Sequence, residues 1–341
     1  MAKKRLAKKF VVLIVVGSVL TALLAAILGL VVYAHRIDDY AQPGDVLSYW
    51  MDYIADDALV KKIAIAGSHD SGTYGMFYMS ETQDRTVFDQ LRSGVRYLDV
   101  RVGLKKGAYK VFHGPIYGVE YETVLQDIVA FLTAHPTETL FLDLQHFGDG
   151  AKEGTLSLTE QYLAPYFLKN ESGLSDVAFI DALTLGQARG KVVVFVGEDD
   201  GTVTAQNRYF KRNDDLGSLP DCALQSYYIE KFNKGNAKKY VEECLADYIA
   251  RYKAVNSGLF VLQGQLTDGT VVLGPRFRES KHCDRMNAYV QFLSTSPDLA
   301  YVNVVMRDYV TPHKCALTIR LNLAKSLVKP ARAEEFSALL A

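Results

Sequence analysis

The chain has 341 residues, of which 49% are hydrophobic and 23% charged, and its formal net charge at pH 7 is −1. This length and apolar content suit one large globular domain or two small ones, and they argue against an intrinsically disordered chain. A charge balance so close to zero gives no support to nucleic-acid binding, which usually accompanies a strong basic excess.

The N-terminus differs in kind from the rest of the chain. MAKKRLAKK, residues 1–9, carries five Lys or Arg side chains and no acid, and residues 10–34 contain no charged side chain. An apolar run above roughly 20 residues can span a bilayer as a helix, whereas the hydrophobic part of a signal peptide has roughly 7–15 residues. We therefore predict a cytoplasmic basic tail (1–9), a transmembrane signal anchor (10–34) and a linker (35–57). A long cleaved signal peptide is the alternative, and both place the remaining domain outside the cell.

After the linker, short apolar runs alternate with polar loops and helix-like stretches. Continuous apolar runs are typical of strands that are buried on both faces of a parallel sheet. One helix-like stretch covers residues 121–136, where apolar side chains recur at helical spacing and a proline ends the pattern. The predicted strands are residues 62–67, 95–100, 109–113, 139–144, 191–196, 223–228, 258–264 and 301–306.

Runs of this kind, interleaved with helices, predict an α/β fold: a TIM-like (β/α)₈ barrel over residues 58–330. We expect the barrel to be imperfect, because the connection RVGLKKGA between predicted strands two and three is too short for a helix. The long polar stretch 198–221 is predicted to be a loop at the rim. We expect the protein to be a monomer.

The four cysteines all lie in the last third of the chain. In an exported protein they could form two disulfides, and Cys222–Cys244 with Cys283–Cys315 would be the sequence-local pairing, although spacing alone does not establish connectivity. The triplets HCD (282–284) and HKC (313–315) leave a His/Cys metal site as the alternative. Since no short ligand pair of zinc-finger type is present, we predict no metal there.

Chemistry-bearing side chains follow the predicted strands, at the edge where parallel barrels form their active sites. A turn capped by Asp70 would also explain the polar pair His69–Asp70, but the convergence of several partners favours an acid–base site. The residues are His69 and Asp70 after strand one, Asp99 and Arg101 after strand two, His113 after strand three, Asp143, Gln145 and His146 after strand four, and Arg307 and Asp308 after strand eight.

These residue types indicate a particular chemistry. Two imidazoles can serve as base and acid within one turnover, because histidine titrates near neutral pH. A carboxylate fixes the tautomer of each imidazole, and an arginine offers a rigid fork of donors to a phosphate. The set therefore predicts the attack of a neighbouring hydroxyl on a phosphodiester.

Five motifs, in this order, resemble the X domain of phosphatidylinositol-specific phospholipase C: GSHDSGTYG, GVRYLDVRV, VFHGPIYG, PTETLFLDLQHF and VVMRDYV. The resemblance covers most of residues 60–310. It implies a membrane-associated lyase that acts on phosphatidylinositol or a related phospholipid and releases diacylglycerol and inositol 1,2-cyclic phosphate.

The resemblance also implies a role for each catalytic residue. His69 resembles the general base that deprotonates the inositol 2-hydroxyl, and Asp308 resembles the carboxylate that orients it. His113 resembles the general acid that protonates the diacylglycerol oxygen, with Asp70 as its partner. Arg101 resembles the residue that binds the phosphate.

The predicted metal dependence of the reaction is decided by Arg101. The Ca²⁺-dependent members of the family place a carboxylate ligand where Arg101 stands, and a guanidinium there would repel a cation. We therefore predict a reaction without metal or other cofactor. The alternative is a Ca²⁺ site built from Asp70, Asp99 and Asp143.

The residues that would hold the headgroup depart from the family pattern. Bacterial members typically place a lysine after strand four, an arginine after strand five, and an aspartate and a tyrosine at strand six. We expect Asp99, Gln145, His146 and Tyr228 to surround the substrate. The residues at these positions are Gln145 and His146, Gly197 and Glu198, and Ser226 and Tyr228.

Two other functions remain open. A metal-dependent glycerophosphodiester phosphodiesterase has a similar barrel, but HDSG followed by DVR does not supply the glutamate-rich metal set that this family needs. A catalytically inactive, membrane-tethered module that binds phospholipid headgroups would explain the departures at the headgroup positions.

Overall fold

The computed structural model describes residues 2–35, 45–148, 150–197, 201–213, 220–228, 239–266 and 274–340. The chain divides into two compact units, Met1–Asp39 and Tyr40–Ala341. In the first unit, α1 (Ala2–His35) is a single helix. Its segment Lys8–Leu30 is 23 residues long and contains an 18-residue stretch with a mean hydropathy of 2.9, so its length and composition would allow it to cross a membrane.

The second unit is built on a ten-stranded sheet. Two strands, β3 and β4, form an antiparallel extension, and the other eight are parallel and pair in chain order. Because β1 pairs with both β10 and β2, the parallel strands close into the barrel that the sequence predicted. The strands are β1 (Ile65–Ser68), β2 (Tyr97–Lys105), β3 (Ala108–His113), β4 (Ile116–Glu120), β5 (Leu140–Gly148), β6 (Val192–Val196), β7 (Tyr209–Asn213), β8 (Leu224–Ser226), β9 (Leu259–Gln263) and β10 (Val304–Arg307).

Helices flank the barrel. In α3 the side chains of Val124, Leu125 and Ile128 are buried at helical spacing, and the helix ends at Ala134, before the proline, as the sequence predicted. The helices of this unit are α2 (Val87–Arg92), α3 (Tyr121–Ala134), α4 (Lys152–Leu163), α5 (Asp176–Ala182), α6 (Leu185–Ala188), α7 (Leu245–Val255), α8 (Gly274–Leu293), α9 (Pro312–Ala324) and α10 (Ala333–Leu339).

Two of the sequence-based strand assignments are corrected by the barrel. Residues 109–113 do form a strand, β3, but it pairs antiparallel with β2 and so lies outside the parallel barrel. The missing barrel strand is β7, within the stretch 198–221 that was predicted to be a loop. Its sequence YFKRN looks solvent-exposed, but Arg212 is buried and forms a 2.8 Å ion pair with Asp143. Residues 198–200 and 214–219 of the predicted loop lie outside the described residues.

The hydrophobic core extends beyond the predicted domain limits of 58 and 330. Trp50, Met51 and Ile54 belong to it, although residues 35–57 were predicted to be a linker. Phe336 and Leu340 close the core at the other end of the chain. The core extends to these residues because the 3₁₀ helix Asp45–Tyr53 packs its apolar side chains against the barrel. A short helix of this kind is sufficient for such packing.

A buried ion pair ties this N-terminal segment to the base of the barrel. Arg96 precedes β2 and Glu138 precedes β5, and their side chains are 2.6 Å apart with neither exposed. The Arg96 guanidinium also donates to the carbonyl oxygens of Leu47 and Ser48, at 3.1 and 2.8 Å. Glu138 accepts the peptide N–H of Met51 at 3.2 Å. Two strands and the entering segment therefore share one hydrogen-bonded ion pair.

The cysteines form no disulfide in this structure. Cys222, Cys244, Cys283 and Cys315 are four buried free thiols, so neither sequence-local pairing is present. The imidazole of His282, which the alternative metal site would use, donates through Nε2 to the carbonyl oxygen of Gly264 at 3.0 Å.

Replacing Glu138 with glutamine should destabilise the fold. The substitution keeps the shape of the side chain but leaves the buried Arg96 charge without a counter-ion, which typically costs about 3–5 kcal/mol. The measurement is urea-induced unfolding of the full chain in detergent, followed by tryptophan fluorescence.

The control is Glu243→Gln, which breaks an exposed helical pair with Lys239 and should change the free energy of unfolding by less than about 0.5 kcal/mol. Equal effects of the two substitutions would show that Arg96–Glu138 does not hold the base of the barrel together.

Candidate active site

The carboxyl ends of the barrel strands surround a cavity of about 330 Å³. Six of the nine residues to which the sequence analysis assigned a catalytic or substrate-contact role line this cavity, and the other three, Asp70, Asp99 and Asp308, are buried next to His69. Four lining residues, Arg212, Ser226, Gln263 and Gln265, were not among the predicted site residues. The full lining is His69, Arg101, His113, Gln145, His146, Arg212, Ser226, Tyr228, Gln263 and Gln265.

His69 and Asp308 meet because neighbouring strands end at the same level. In the pairing of β1 with β10, Ser68 lies opposite Arg307, so the next residue of each strand lies at the same edge of the barrel. Nδ1 of His69 is 2.8 Å from Oδ1 of Asp308. This carboxylate favours a proton on Nδ1 and leaves Nε2 on the side of the ring that faces away from Asp308.

The charge state of His69 reflects its carboxylate neighbours. Burial by itself lowers the pKa of the imidazole, but the negative charges of Asp70 and Asp308 outweigh burial and raise the pKa to about 9. The imidazole is therefore protonated at neutral pH in the absence of a ligand. Burial raises the pKa of Asp308, and the facing imidazole opposes that effect.

Asp70 is the shared neighbour of three functional side chains. Its carboxylate lies 2.9 Å from Nε of Arg101, 3.3 Å from Nε2 of His69 and 3.8 Å from Nε2 of His113. Burial favours its neutral form, but Arg101 and His69 outweigh burial and lower the pKa of Asp70 to about 2. The backbone of Asp70 adopts φ = 43°, a left-handed conformation that side-chain-bearing residues seldom adopt, and its N–H donates to Asp99 at 3.3 Å.

The antiparallel extension positions His113. This residue ends β3, and its Nδ1 donates to the carbonyl oxygen of Ser80 at 2.8 Å. That hydrogen bond orients the ring and leaves Nε2 towards Asp70, at a distance too long for a direct hydrogen bond. His113 therefore reaches the cavity from a hairpin rather than from a barrel strand.

Arg101 enters the cavity at an irregularity in the barrel. The register between β2 and β5 shifts between Val100 and Arg101, so that Arg101 pairs with His146 instead of Gln145. Nε of Arg101 donates to Oε1 of Gln145 at 2.7 Å. Burial lowers the pKa of the guanidinium, but Asp70 outweighs burial and the pKa is raised, so Arg101 stays charged.

The alternative Ca²⁺ site does not fit these side chains. Asp143 is engaged by Arg212, and its other oxygen accepts from the hydroxyl of Tyr97 at 2.5 Å. Within the described part of the chain, His69, Asp70 and Asp99 do bring three potential ligand atoms within 4.8 Å of one another. However, Ca²⁺ requires six or more oxygen ligands. The His69 group is an imidazole that is hydrogen-bonded to Asp308, and the Asp70 carboxylate is already paired with Arg101.

Sequence reasoning missed Gln83, a glutamine that connects the backbone beside His69 with the backbone beside Asp308. Gln83 is fully buried, and its Nε2 donates to the carbonyl oxygens of His69 and Arg307, at 2.9 and 3.0 Å. Its Oε1 accepts the N–H of Val310 at 3.0 Å. No local pattern would have found this residue, because its partners are 14 to 227 positions away.

Lys314 supports Asp308 from the other side. Its ammonium group donates to the carbonyl oxygens of Asp308 and Tyr309, at 2.9 and 2.7 Å, and lies 2.7 Å from Glu279. Tyr309 adopts φ = 44°, so the chain after Asp308 takes a turn that is unfavourable for a residue of this kind. The lysine therefore holds this turn, and with it the carboxylate, in place.

The comparisons with known proteins agree with this fold and with the motifs. Residues 58–197 match the model of the family described as Phosphatidylinositol-specific phospholipase C, X domain. A 1-phosphatidylinositol phosphodiesterase of Staphylococcus aureus (strain Newman) is 27% identical over 207 residues, covering 54% of this chain and 65% of that protein. PI-PLC X domain-containing protein 2 of Mus musculus is 34% identical over 131 residues, covering 33% of this chain and 35% of that protein. The chain thus spans less than two thirds of the length of these curated relatives.

Solved structures show the same barrel. A phosphatidylinositol-specific phospholipase C from Listeria monocytogenes superposes with a TM-score of 0.59 at 18% identity, covering 81% of this chain and 98% of that one. A structure of the Staphylococcus aureus enzyme gives a TM-score of 0.63 at 19% identity, covering 81% and 97%. At such identities the likeness establishes the fold alone, and the predicted TIM-like barrel is confirmed.

The stability of the fold should depend on the charge of His69. Its folded pKa, about 9, lies above the ordinary value of 6.5. The stabilisation is therefore complete below pH 6.5 and is lost as the pH rises through 9, and a shift of this size corresponds to about 3 kcal/mol. Urea unfolding of the wild type and of His69→Gln from pH 6 to pH 9.5 measures this difference, and parallel pH profiles would contradict it.

Proposed function

Since residues 58–197 are an X domain of the phosphatidylinositol-specific phospholipase C family, we propose that this chain is a phospholipase C-type lyase. It cleaves phosphatidylinositol, or a closely related phosphodiester, to diacylglycerol and inositol 1,2-cyclic phosphate. The observation that carries the proposal is the pair of imidazole Nε2 atoms, of His69 and His113, which lie 3.3 and 3.8 Å from Oδ2 of Asp70, while Arg101 pairs with Oδ1 of the same carboxylate.

In this reaction the inositol 2-hydroxyl oxygen attacks the phosphorus atom. Nε2 of His69 accepts the hydroxyl proton, and Asp308 stabilises the imidazolium that forms. The bond from phosphorus to the diacylglycerol oxygen breaks, and His113 donates its Nε2 proton to that oxygen. Only the neutral imidazole of His69 can accept a proton, so turnover by this route increases with pH up to about 9.

Arg101 and Asp70 have different electrostatic roles in this reaction. The guanidinium faces the cavity with a fixed fork of donors and neutralises the charge that builds up on the phosphoryl oxygens. Asp70 lies 3.8 Å from Nε2 of His113, the nitrogen from which the acid donates its proton. This charge balance uses no metal ion, and we propose that the reaction is metal-independent.

Replacing either histidine should nearly abolish turnover. His69→Ala removes the base and His113→Ala removes the acid, and each loss should lower turnover at least ~10²-fold. The assay is ³¹P NMR of the full chain with phosphatidylinositol vesicles, in which the five-membered cyclic phosphate gives a distinct signal. EDTA should leave the wild-type rate unchanged.

The matched control is His135→Ala, because this imidazole packs against Phe131 in α3, with ring centroids 4.6 Å apart, and does not line the cavity. Wild-type rates in both active-site variants would end the assignment of base and acid. Loss of activity in EDTA that Ca²⁺ restores would place the reaction in the metal-dependent branch. Headgroup binding without any cleavage would favour the non-catalytic module.

We further propose that α1 anchors the protein, with residues 1–9 in the cytoplasm and the barrel outside the cell. Its apolar segment Lys8–Leu30 is long enough to span the bilayer, and the basic flank favours this orientation. The full chain should sediment with membranes and remain there after a high-salt wash. Release by salt would indicate a peripheral association, and a soluble product shortened at the N-terminus would indicate a cleaved signal peptide.

A further inference from the structure

A short buried segment lies beside the proposed acid and base without lining the cavity. It consists of residues 80–83, between β1 and α2, and we call it the brace. The side chains of Ser80, Thr82 and Gln83 are buried, and none of them belongs to the lining of the cavity. The brace can therefore influence the reaction only through the residues that it contacts.

Gln83 attaches the brace to the ends of two barrel strands. Its Nε2 donates to the carbonyl oxygens of His69 and Arg307, and its Oε1 accepts the N–H of Val310. Carbonyl oxygens only accept and a peptide N–H only donates, so a single orientation of this amide satisfies all three contacts. The backbone on either side of Asp308 is thereby fixed relative to the backbone of His69.

Thr82 connects the same two strand ends by other atoms. Its carbonyl oxygen accepts the N–H of Tyr309 at 2.7 Å, and its hydroxyl oxygen lies 3.2 Å from the carbonyl oxygen of His69. The hydroxyl is also 3.4 Å from the carbonyl oxygen of Asp70. Asp70 and Tyr309 have left-handed backbone conformations, with φ of 43° and 44°, which such residues seldom adopt. Thr82 therefore contacts both of the strained turns that follow β1 and β10.

The hydrogen bond between His69 and Asp308 depends on these attachments. The pairing of β1 with β10 ends at Ser68 and Arg307, so both side chains project from backbone beyond the paired strands. Nδ1 of His69 and Oδ1 of Asp308 are nevertheless 2.8 Å apart. Because this carboxylate favours a proton on Nδ1, a displacement of the turn after β10 would alter the base itself.

The other end of the brace reaches the proposed acid. The carbonyl oxygen of Ser80 accepts from Nδ1 of His113 at 2.8 Å. Four residues span at most about 14 Å, so the contacts with the acid and with the base are closely linked. A disturbance of the brace should therefore affect the chemical step more than the binding of substrate.

We propose that Thr82 and Gln83 are positioning residues, which hold Asp308 at hydrogen-bond distance from His69 without touching the substrate. The proposal rests on the proposed lyase function and adds two residues to its acid–base machinery. Lys314 contacts the turn after β10, whereas the brace contacts the ends of both strands.

Three substitutions test the brace. Thr82→Val removes the hydroxyl with little change of shape, and Thr82→Ser keeps it. Gln83→Met removes three hydrogen bonds at similar volume, and the Thr82 pair remains informative if this variant misfolds. The matched control is Thr139→Val, because the buried hydroxyl of Thr139 donates to the carbonyl oxygen of Ala188 at 2.8 Å, at the base of the barrel.

The first readout is the pKa of His69, followed by NMR titration of the full chain labelled with ¹⁵N-histidine, in detergent. The signal of His69 is the one that His69→Gln lacks. In the wild type, Asp70 and Asp308 raise this pKa to about 9. Thr82→Val and Gln83→Met should move Asp308 away, while Asp70 stays paired with Arg101, so the pKa should fall by about one pH unit. Thr82→Ser and Thr139→Val should keep the wild-type value.

The second readout is the turnover of phosphatidylinositol vesicles. In Thr82→Val and Gln83→Met, kcat should fall at least about tenfold while KM stays within about threefold, because a small misplacement of an acid or base is costly. Thr82→Ser should restore kcat to within about threefold of the wild type.

The titration separates this proposal from the reaction, because it requires no turnover. A lower pKa of His69 in Thr82→Val and Gln83→Met, restored in Thr82→Ser, supports the positioning role even if the wild type cleaves no phosphatidylinositol. An unchanged pKa in both brace variants would overturn it, even with a fully active wild type. An equal fall in Thr139→Val would overturn it as well, since any lost buried hydroxyl would then have this effect.

Discussion

The site depends on the contacts of a single buried carboxylate, that of Asp70. A buried anion needs positive charge around it, which Arg101 and His69 supply, and the imidazole of His113 approaches from a third element of the fold. Each of these side chains is in turn oriented by a second partner: Gln145, Asp308 and the carbonyl oxygen of Ser80, respectively. The carboxylate therefore sets both the electrostatics of the site and the convergence of its parts.

The departures from a regular barrel position two of the candidate site residues. The hairpin of β3 and β4 stands outside the parallel barrel and delivers His113, and the shift in register between β2 and β5 directs Arg101. β7 brings Arg212 inside, where it neutralises Asp143. A strictly regular repeat of strand and helix would not have produced the placements of His113 and Arg101.

The two ends of the barrel differ in how fully their buried polar groups are hydrogen-bonded. At the base, the guanidinium of Arg96 is engaged by Glu138 and by backbone carbonyls, and the arrangement is closed. At the mouth, the carboxylate of Asp70 is held by ion pairs with Arg101 and His69, and the amide oxygen of Gln265 makes no hydrogen bond within the described residues. Satisfied polar groups stabilise a fold, whereas unsatisfied ones at a cavity are available to a ligand.

The sequence by itself determined the apolar N-terminal helix and the barrel class, and it placed five candidate site residues at one edge of the barrel: His69, Asp70, Arg101, His113 and Asp308. These features are readable because apolar runs and the polar residues after them are local patterns, and parallel strands bring their carboxyl ends to one edge. Tertiary structure alone decided that β3 is a hairpin strand, that β7 is a barrel strand, that the cysteines are unpaired, and that hydrogen bonds join Ser226, Gln263 and Gln265. The physical reason is that these features depend on partners far away in the sequence. A buried charge such as Arg212, which pairs with Asp143, and an amide such as Gln263, which bonds to Ser226, leave no periodic pattern in the sequence.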